Sequence, residues 1–509
     1  MAYNTNIYFL LFLPIVMLAY QLTPQKYRWV ALLGASVAFF AMISKCLIGW
    51  ALVTAAITYY GGRLIEQYRQ IGAPPKGVLR VSLILVVGIL AVLKYTNFTI
   101  GIVNQVIAGL SGTAGLSFVK MMVPIGISFY TLQAVGYLLD IYWKRIEAEH
   151  NFAKVLLFLI FFPTVMEGPI CRWSDVKDQL FVGEALREEN ITQGLIRIVW
   201  GLFKRMLIAD RLYAAISLFY KPTMYLNGIM VFICMFLTTI QLYMEFSGTI
   251  DIVIGSARIF NIRLPENFRQ PFLAKSAAEF WRRWHISLGT WFKNYIFYPV
   301  TTSDAIKKWN RYGKKHVGKY LTNVVTSAAA LFPVWMLNGL WHGPQATYIL
   351  YGVYYFIVLL AEVMLEPAGR KVYARLGWSE DGALVNGIRM VRTWCIILVG
   401  EMLFRAQSFA QFITLMKNMF VGPWDGGAFT GKLVEVGLDA GDYFVVVIGM
   451  MIVFILEWKM EKKPDMLEIL PELSTAKRWL VYYGVIMAIV VFGAYGDGYQ
   501  PADLIYAGF

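Results

Sequence analysis

Twelve apolar runs recur along this chain, and few folds can hold such a pattern. They fall at residues 7–20, 29–43, 46–60, 81–93, 122–139, 155–166, 225–243, 324–337, 348–363, 394–404, 444–456 and 479–492. Hydrophobic residues make up 58% of the chain and charged residues only 15%, against about 45–50% and about 25% in soluble domains. Lipid offers no partner to an open strand edge, so the runs must be helical. The reading is an all-α integral membrane protein, one membrane-embedded unit over residues 1–509. Its length leaves room for on the order of 10–13 spans of about 20 residues. The polar linkers 366–392 and 458–478 are too short for a separate soluble domain. Several runs are short or interrupted by Pro and Gly (VPIGISF, FFPTVMEGPI), as in tilted or re-entrant segments that line a cavity.

Charge sets the orientation. The first charged residue is Lys26, so the opening run is expected to be a retained span rather than a cleaved signal peptide. Lys26 and Arg28 share a side with the basic loop GGRLIEQYRQIGAPPKGVLR two runs later, which puts that side in the cytoplasm and the N-terminus outside. Between Arg258 and Lys319 stand thirteen Lys/Arg against three acids, +10 of the net +14. This stretch reads as a cytoplasmic face toward anionic lipid headgroups. Alternatively it docks an acidic donor, such as a nucleotide-bearing thioester or an acidic carrier protein. Residues 194–216 carry Arg197, Lys204, Arg205, Asp210 and Arg211, which predicts an interfacial amphipathic helix. One of Glu245 and Asp251 could orient an imidazole, but the favoured reading is a structural pair with the nearby Arg258 and Arg263.

The cysteines Cys46, Cys171, Cys234 and Cys395 are scattered and form no C-x-x-C pair, so neither a disulfide framework nor a metal site is indicated. Cys171, beside a turn in MEGPICRW, is the one to test as a nucleophile. Walker A, dinucleotide-binding, H-E-x-x-H and Gly-x-Ser-x-Gly patterns are absent, which removes ATP-driven transport, nicotinamide chemistry, zinc hydrolysis and the usual serine hydrolases as first choices.

Two of the four histidines stand out. An ionisable group at membrane depth is expensive and by default a functional candidate, and an imidazole can take a proton from a hydroxyl near neutral pH. His342 ends an apolar run, and Gly343-Pro344 breaks the helix directly after it. The bland alternative is a histidine hydrogen-bonded to a neighbouring helix. His285 lies in EFWRRWHISLGTWFKNYIFY; as one helix, Trp281, Trp284, His285 and Leu288 would share a face. There the bland alternative is an interfacial anchor.

These motifs resemble the membrane-bound O-acyltransferase family, in its bacterial alginate O-acetylation and D-alanyl transfer branch. The resemblance runs through NIYFLLFLPIVMLAY, VPIGISFYTLQAVGYLLDIYW, FFPTVMEGPICRW, MEFSGTIDIVIG, NFRQPFLAKSAAEFWRRWHISLGTWFKNYIFYPV, LNGLWHG and LFRAQSF. It departs from the branch at Glu245 and Thr249, where relatives usually carry an aspartate and an aromatic. The resemblance implies a polytopic ring of tilted helices with re-entrant segments around a central tunnel, in a bacterial cytoplasmic membrane. It implies acyl transfer, acetyl first, from a cytoplasmic thioester (acetyl-CoA or an acyl carrier protein) to an extracytoplasmic hydroxyl of a surface polysaccharide or wall polymer. No bound cofactor, metal or nucleic acid is expected. An extracytoplasmic esterase-like partner protein is. His342 and His285 match the family's histidines; Arg282, Arg283, Trp284, Ser287, Trp291, Asn338 and Trp341 are the expected substrate contacts. D-alanyl transfer to teichoic acid is the nearest alternative. A transporter or a scaffold for an external transferase are rivals of other kinds.

Overall fold

A computed structural model describes residues 3–111, 115–221, 224–422, 424 and 436–495. Among these residues every regular element is a helix, and one isolated backbone bridge joins Phe268 and Trp284. Eight helical runs are long and apolar enough to cross a membrane: Gln25–Gln70, Lys76–Leu110, Gly228–Ile259, Lys319–His342, Ala346–Arg375, Ala383–Arg405, Ala440–Met460 and Thr475–Phe492. The chain is a multi-pass membrane protein. The first run folds as two helices, Arg28–Ser44 and Ile48–Gln70, hinged where Lys45 takes a φ of 49°.

Two of the middle apolar runs form short helices beside proline and glycine. Helices Ile127–Tyr142 and Phe152–Ile160 have 16 and 9 residues, too few to span. Gly126 opens the first of them at φ +82°, and a Cβ there would stand 2.0 Å from the Val165 carbonyl oxygen. Only glycine fits.

Over its described residues the chain divides into two compact units. One draws on Met1–Ile198 and Thr249–Pro265, the other on Val199–Gly248 and Glu266–Ala502. In the first unit, residues 161–170 are non-helical yet buried. Buried irregular backbone survives only if its polar groups are met. Here Tyr3 Oη donates to the Phe162 carbonyl (2.8 Å) and accepts from the Met166 N–H (3.2 Å), while Ser36 Oγ accepts from the Phe162 N–H (3.1 Å). Asp251 in this unit pairs with Arg197, and Arg258 donates to Gln193 (3.0 Å). Both of these partners lie more than fifty residues away in sequence, at separations of 54 and 65.

In the second unit the basic turn at 204–211 is buried, which overturns the interfacial amphipathic reading of 194–216. Lys204, Arg205, Asp210 and Arg211 are all buried. The helix widens over Lys204–Ala209. Arg205 bonds Asp210 (3.3 Å), Lys204 donates to Ser247 Oγ (3.1 Å) and Arg211 pairs with Asp442. Paired charges survive burial where single ones would not, so charge content alone misplaces this segment. Glu245 accepts from Gln241 Nε2 at 2.7 Å.

Candidate active site

Every side chain of the candidate site belongs to the second unit. The Lys319–His342 helix stops at His342 as its Gly-Pro sequence predicts, and Ala346–Arg375 begins after a three-residue link. The two form a tight hairpin. A Cβ on Gly339 would lie 2.4 Å from the Tyr348 carbonyl oxygen, and one on Gly352 2.3 Å from that of Trp335. Small residues allow this approach, and it fixes His342 against its neighbours. Gly339→Ala must push backbone apart. It is expected to cost about 1–3 kcal/mol, visible as a lower thermal midpoint in detergent; an unchanged midpoint would contradict the packing argument.

The His342 imidazole is buried among aromatic rings. Ring centroids lie at 5.1 Å for Trp341, 5.0 Å for Phe404, 5.8 Å for Tyr351 and 6.2 Å for Tyr348. Asn338 is buried one helical turn earlier, on the same face. Its Oδ1 has no hydrogen-bond partner among the described residues.

His285 reaches the site from a broken helix. The continuous helix expected over 279–298 is corrected to two pieces, Ala277–Arg283 and Ile286–Phe292. Between them Trp284 is extended, bridged to Phe268, and His285 is left-handed at φ 48°. The cause is Asn267, which is fully buried. Its Oδ1 accepts from the Ser287 N–H (2.9 Å) and the Ser287 hydroxyl (2.8 Å), and its backbone carbonyl accepts from the Ile286 N–H (3.0 Å). A backbone N–H can only donate, which fixes Oδ1 as the oxygen. His285 Nδ1, 3.3 Å from that oxygen, therefore carries its proton, and Nε2 keeps the lone pair. Burial pushes the His285 pKa down to about 3, so this imidazole is neutral at physiological pH.

One indole joins the two histidines. The Trp341 ring centroid is 5.6 Å from His285 and 5.1 Å from His342. Phe246 closes the other side of His285 at 4.9 Å.

The remaining sequence candidates separate. Ser287 serves through Asn267. Trp284 stacks on Phe280 (5.3 Å) and meets Phe268 edge-on (5.1 Å), in the packing that holds the break. Arg283 is held by Glu461 (2.8 and 2.9 Å) and Glu279 (3.0 Å), so its guanidinium braces the fold. Arg282 is exposed. Trp291 is buried against Tyr295 at 5.2 Å. Asn267, Tyr348, Tyr351 and Phe404 escaped the sequence reading. A Gly-Pro break flags His342, whereas nothing local flags a polar side chain 18 residues before His285.

Cys171, in the first unit, is buried, and burial pushes its thiol pKa far up. A protonated thiol is a poor nucleophile. Cys171→Ala is expected to keep acyl-transfer rates within about twofold of wild type; a larger loss in initial rate, with the protein still folded, would restore it as a candidate.

Comparison with known proteins follows this geometry. The family model described as the membrane-bound O-acyltransferase family matches residues 144–404, a stretch that contains both histidines. The chain is 29% identical to a probable alginate O-acetylase of Pseudomonas aeruginosa, over 83% of this chain and 76% of that one. It is 27% identical to a peptidoglycan O-acetyltransferase of Helicobacter pylori, over 82% and 79%. Against a teichoic acid D-alanyltransferase of Bacillus subtilis the identity is 28%, over 56% of this chain and 69% of that one.

Proposed function

The chain belongs to the membrane-bound O-acyltransferase family, and we propose that it transfers an acetyl group from a cytoplasmic thioester to an extracytoplasmic hydroxyl. The observation that carries this reading is the buried pair of imidazoles in contact with a single indole, Trp341. One face of that arrangement offers a base, His342. The other offers His285 Nε2, held in a fixed tautomer by Asn267. No resident cofactor is needed; the thioester, acetyl-CoA or an acyl carrier protein, is substrate.

In this mechanism His342 takes the proton of the accepting hydroxyl as its oxygen attacks the thioester carbonyl. The C–O bond forms, the tetrahedral centre collapses, and the C–S bond breaks. The His342 imidazolium then returns the proton to the departing thiolate. Positioned acid–base groups contribute about 10²–10⁴-fold to such steps. The neutral His285 orients the donor or accepts a hydrogen bond from it. Arg282, exposed beside this site, and the basic stretch through Lys319 attract the donor's anionic portion. Arg283 contributes by holding Arg282's helix in place through Glu461.

Acetyl is favoured over D-alanyl because the O-acetylating relatives align over 82–83% of this chain and the D-alanyl relative over 56%. The acceptor is a hydroxyl of a surface polysaccharide or wall polymer, reached through an extracytoplasmic esterase-like partner. The setting is a bacterial cytoplasmic membrane with the N-terminus outside. The test is labelled acetyl-CoA incubated with the purified, reconstituted protein. Thiol release or a labelled acceptor that disappears in His342→Ala supports the enzyme. Substrate flux without thioester consumption would replace it with a transporter.

A further inference from the structure

Glu401 is a buried carboxylate that the acyl-transfer scheme leaves unused. It lies in the Ala383–Arg405 span and is 1% exposed. A carboxyl group at such a position is costly unless bonded, and in a membrane span it marks function by default. Among the described residues its hydrogen-bond partner is the Tyr351 hydroxyl, which donates to Oε1 at 3.5 Å. Long contacts of this kind are common in unliganded sites and tighten when substrate binds.

Tyr351 connects this carboxyl group to the site. Its ring stands edge-on to His342, with centroids 5.8 Å apart and planes 85° from parallel. It also packs on Phe404 (5.2 Å) and Tyr355 (4.9 Å). Phe404 follows Glu401 by three residues, so one face of one helix presents both. Phe404 meets the imidazole directly, at 5.0 Å and 84°. Glu401 meets it through the phenol. The neighbouring Gly400 lets the tyrosines pack this close, since a Cβ there would stand 2.4 Å from Tyr355 Oη.

We infer that Glu401 is a positioning residue for His342, acting through Tyr351. Its carboxyl oxygen anchors the phenol, and the anchored ring, together with Phe404, sets the plane of the imidazole. An imidazole free to turn in its aromatic surround would spend less time aimed at the hydroxyl. Misplacement on the scale of 1 Å costs about 10²-fold in related situations. This inference rests on the role proposed above for His342.

The experiment is a double-mutant cycle in the full-length, reconstituted protein, using Glu401→Met, Tyr351→Phe and both together. Initial rates of thiol release from acetyl-CoA are measured across donor concentration, alongside thermal midpoints. Glu401→Met keeps most of the volume but removes the acceptor oxygen, and Tyr351→Phe preserves the ring and removes the donor. Each single change is expected to lower kcat about 10–100-fold with the donor KM little changed. The double variant is expected to be no worse than the poorer single one, since both remove the same link. Losses that multiply, or a loss confined to KM or to thermal midpoint, would overturn the inference. Should Glu401→Met fail to insert, Tyr351→Phe decides alone, and a wild-type kcat there overturns it. His342→Ala run in parallel separates the two levels. If it is inactive while Glu401→Met and Tyr351→Phe work normally, only the positioning role fails. If it retains full rate, the acyl-transfer mechanism fails and takes this inference with it.

Discussion

Alanine at His342 is expected to lower kcat for acyl transfer by about 10²–10⁴-fold, the contribution of a positioned general base. The donor KM should hardly move, because in the proposed mechanism the imidazole acts on the hydroxyl proton only in the transition state. The rings around it offer no substitute. Trp341 and Phe404 carry no base, and Tyr348 and Tyr351 offer phenols rather than an imidazole. Alanine also leaves a void, so His342→Gln is the matching control: it fills most of the space without a titratable nitrogen. Both variants should be inactive, with the glutamine form keeping a near-wild-type thermal midpoint. Substantial turnover in either variant would remove His342 from the chemistry.

Leucine at Asn267 should produce the largest structural loss. That one amide oxygen accepts from the Ser287 N–H, the Ser287 hydroxyl and His285 Nδ1. Each buried donor left without an acceptor costs about 1–3 kcal/mol, so the break between the two short helices should collapse and His285 should lose its aim. Asn267→Asp is the informative companion. It keeps the acceptor oxygen but places a negative charge beside the imidazole, which favours the protonated ring. In the wild type, burial holds the folded His285 pKa near 3, below its ordinary value of 6.5. The unfolded chain therefore takes up the proton first. The stability tied to this group is present above about pH 6.5 and drains away as the pH falls toward 3. Thermal midpoints across that window should fall less steeply for Asn267→Asp than for wild type. Parallel slopes would mean that the amide does not govern the ring.

What the sequence disclosed follows from how local each signal is. The end of the His342 helix was readable because glycine and proline act on the backbone of their own residues. So were most of the long spans, because their apolar content decides their environment. The break at His285 was not readable. EFWRRWHISLGTWF has a helical face and no proline, and its interruption comes from Asn267 and the Phe268–Trp284 bridge. The buried basic turn at 204–211 misled for a related reason: its carboxylate and hydroxyl partners include Asp442 and Ser247, remote in sequence. Of the two adjacent arginines, sequence could not say that Arg283 is occupied by Glu461 while Arg282 is exposed.

The hairpin that carries His342 has a bearing on how turnover is organised. Its two helices touch backbone to backbone at Gly339 and Gly352, so the imidazole, Tyr348 and Tyr351 travel as one rigid piece. A rigid base cannot swing between a donor and an acceptor. On the mechanism proposed for His342 both reactants are carried to it, and the order of their arrival, rather than a moving catalytic group, becomes the step at which turnover can be timed.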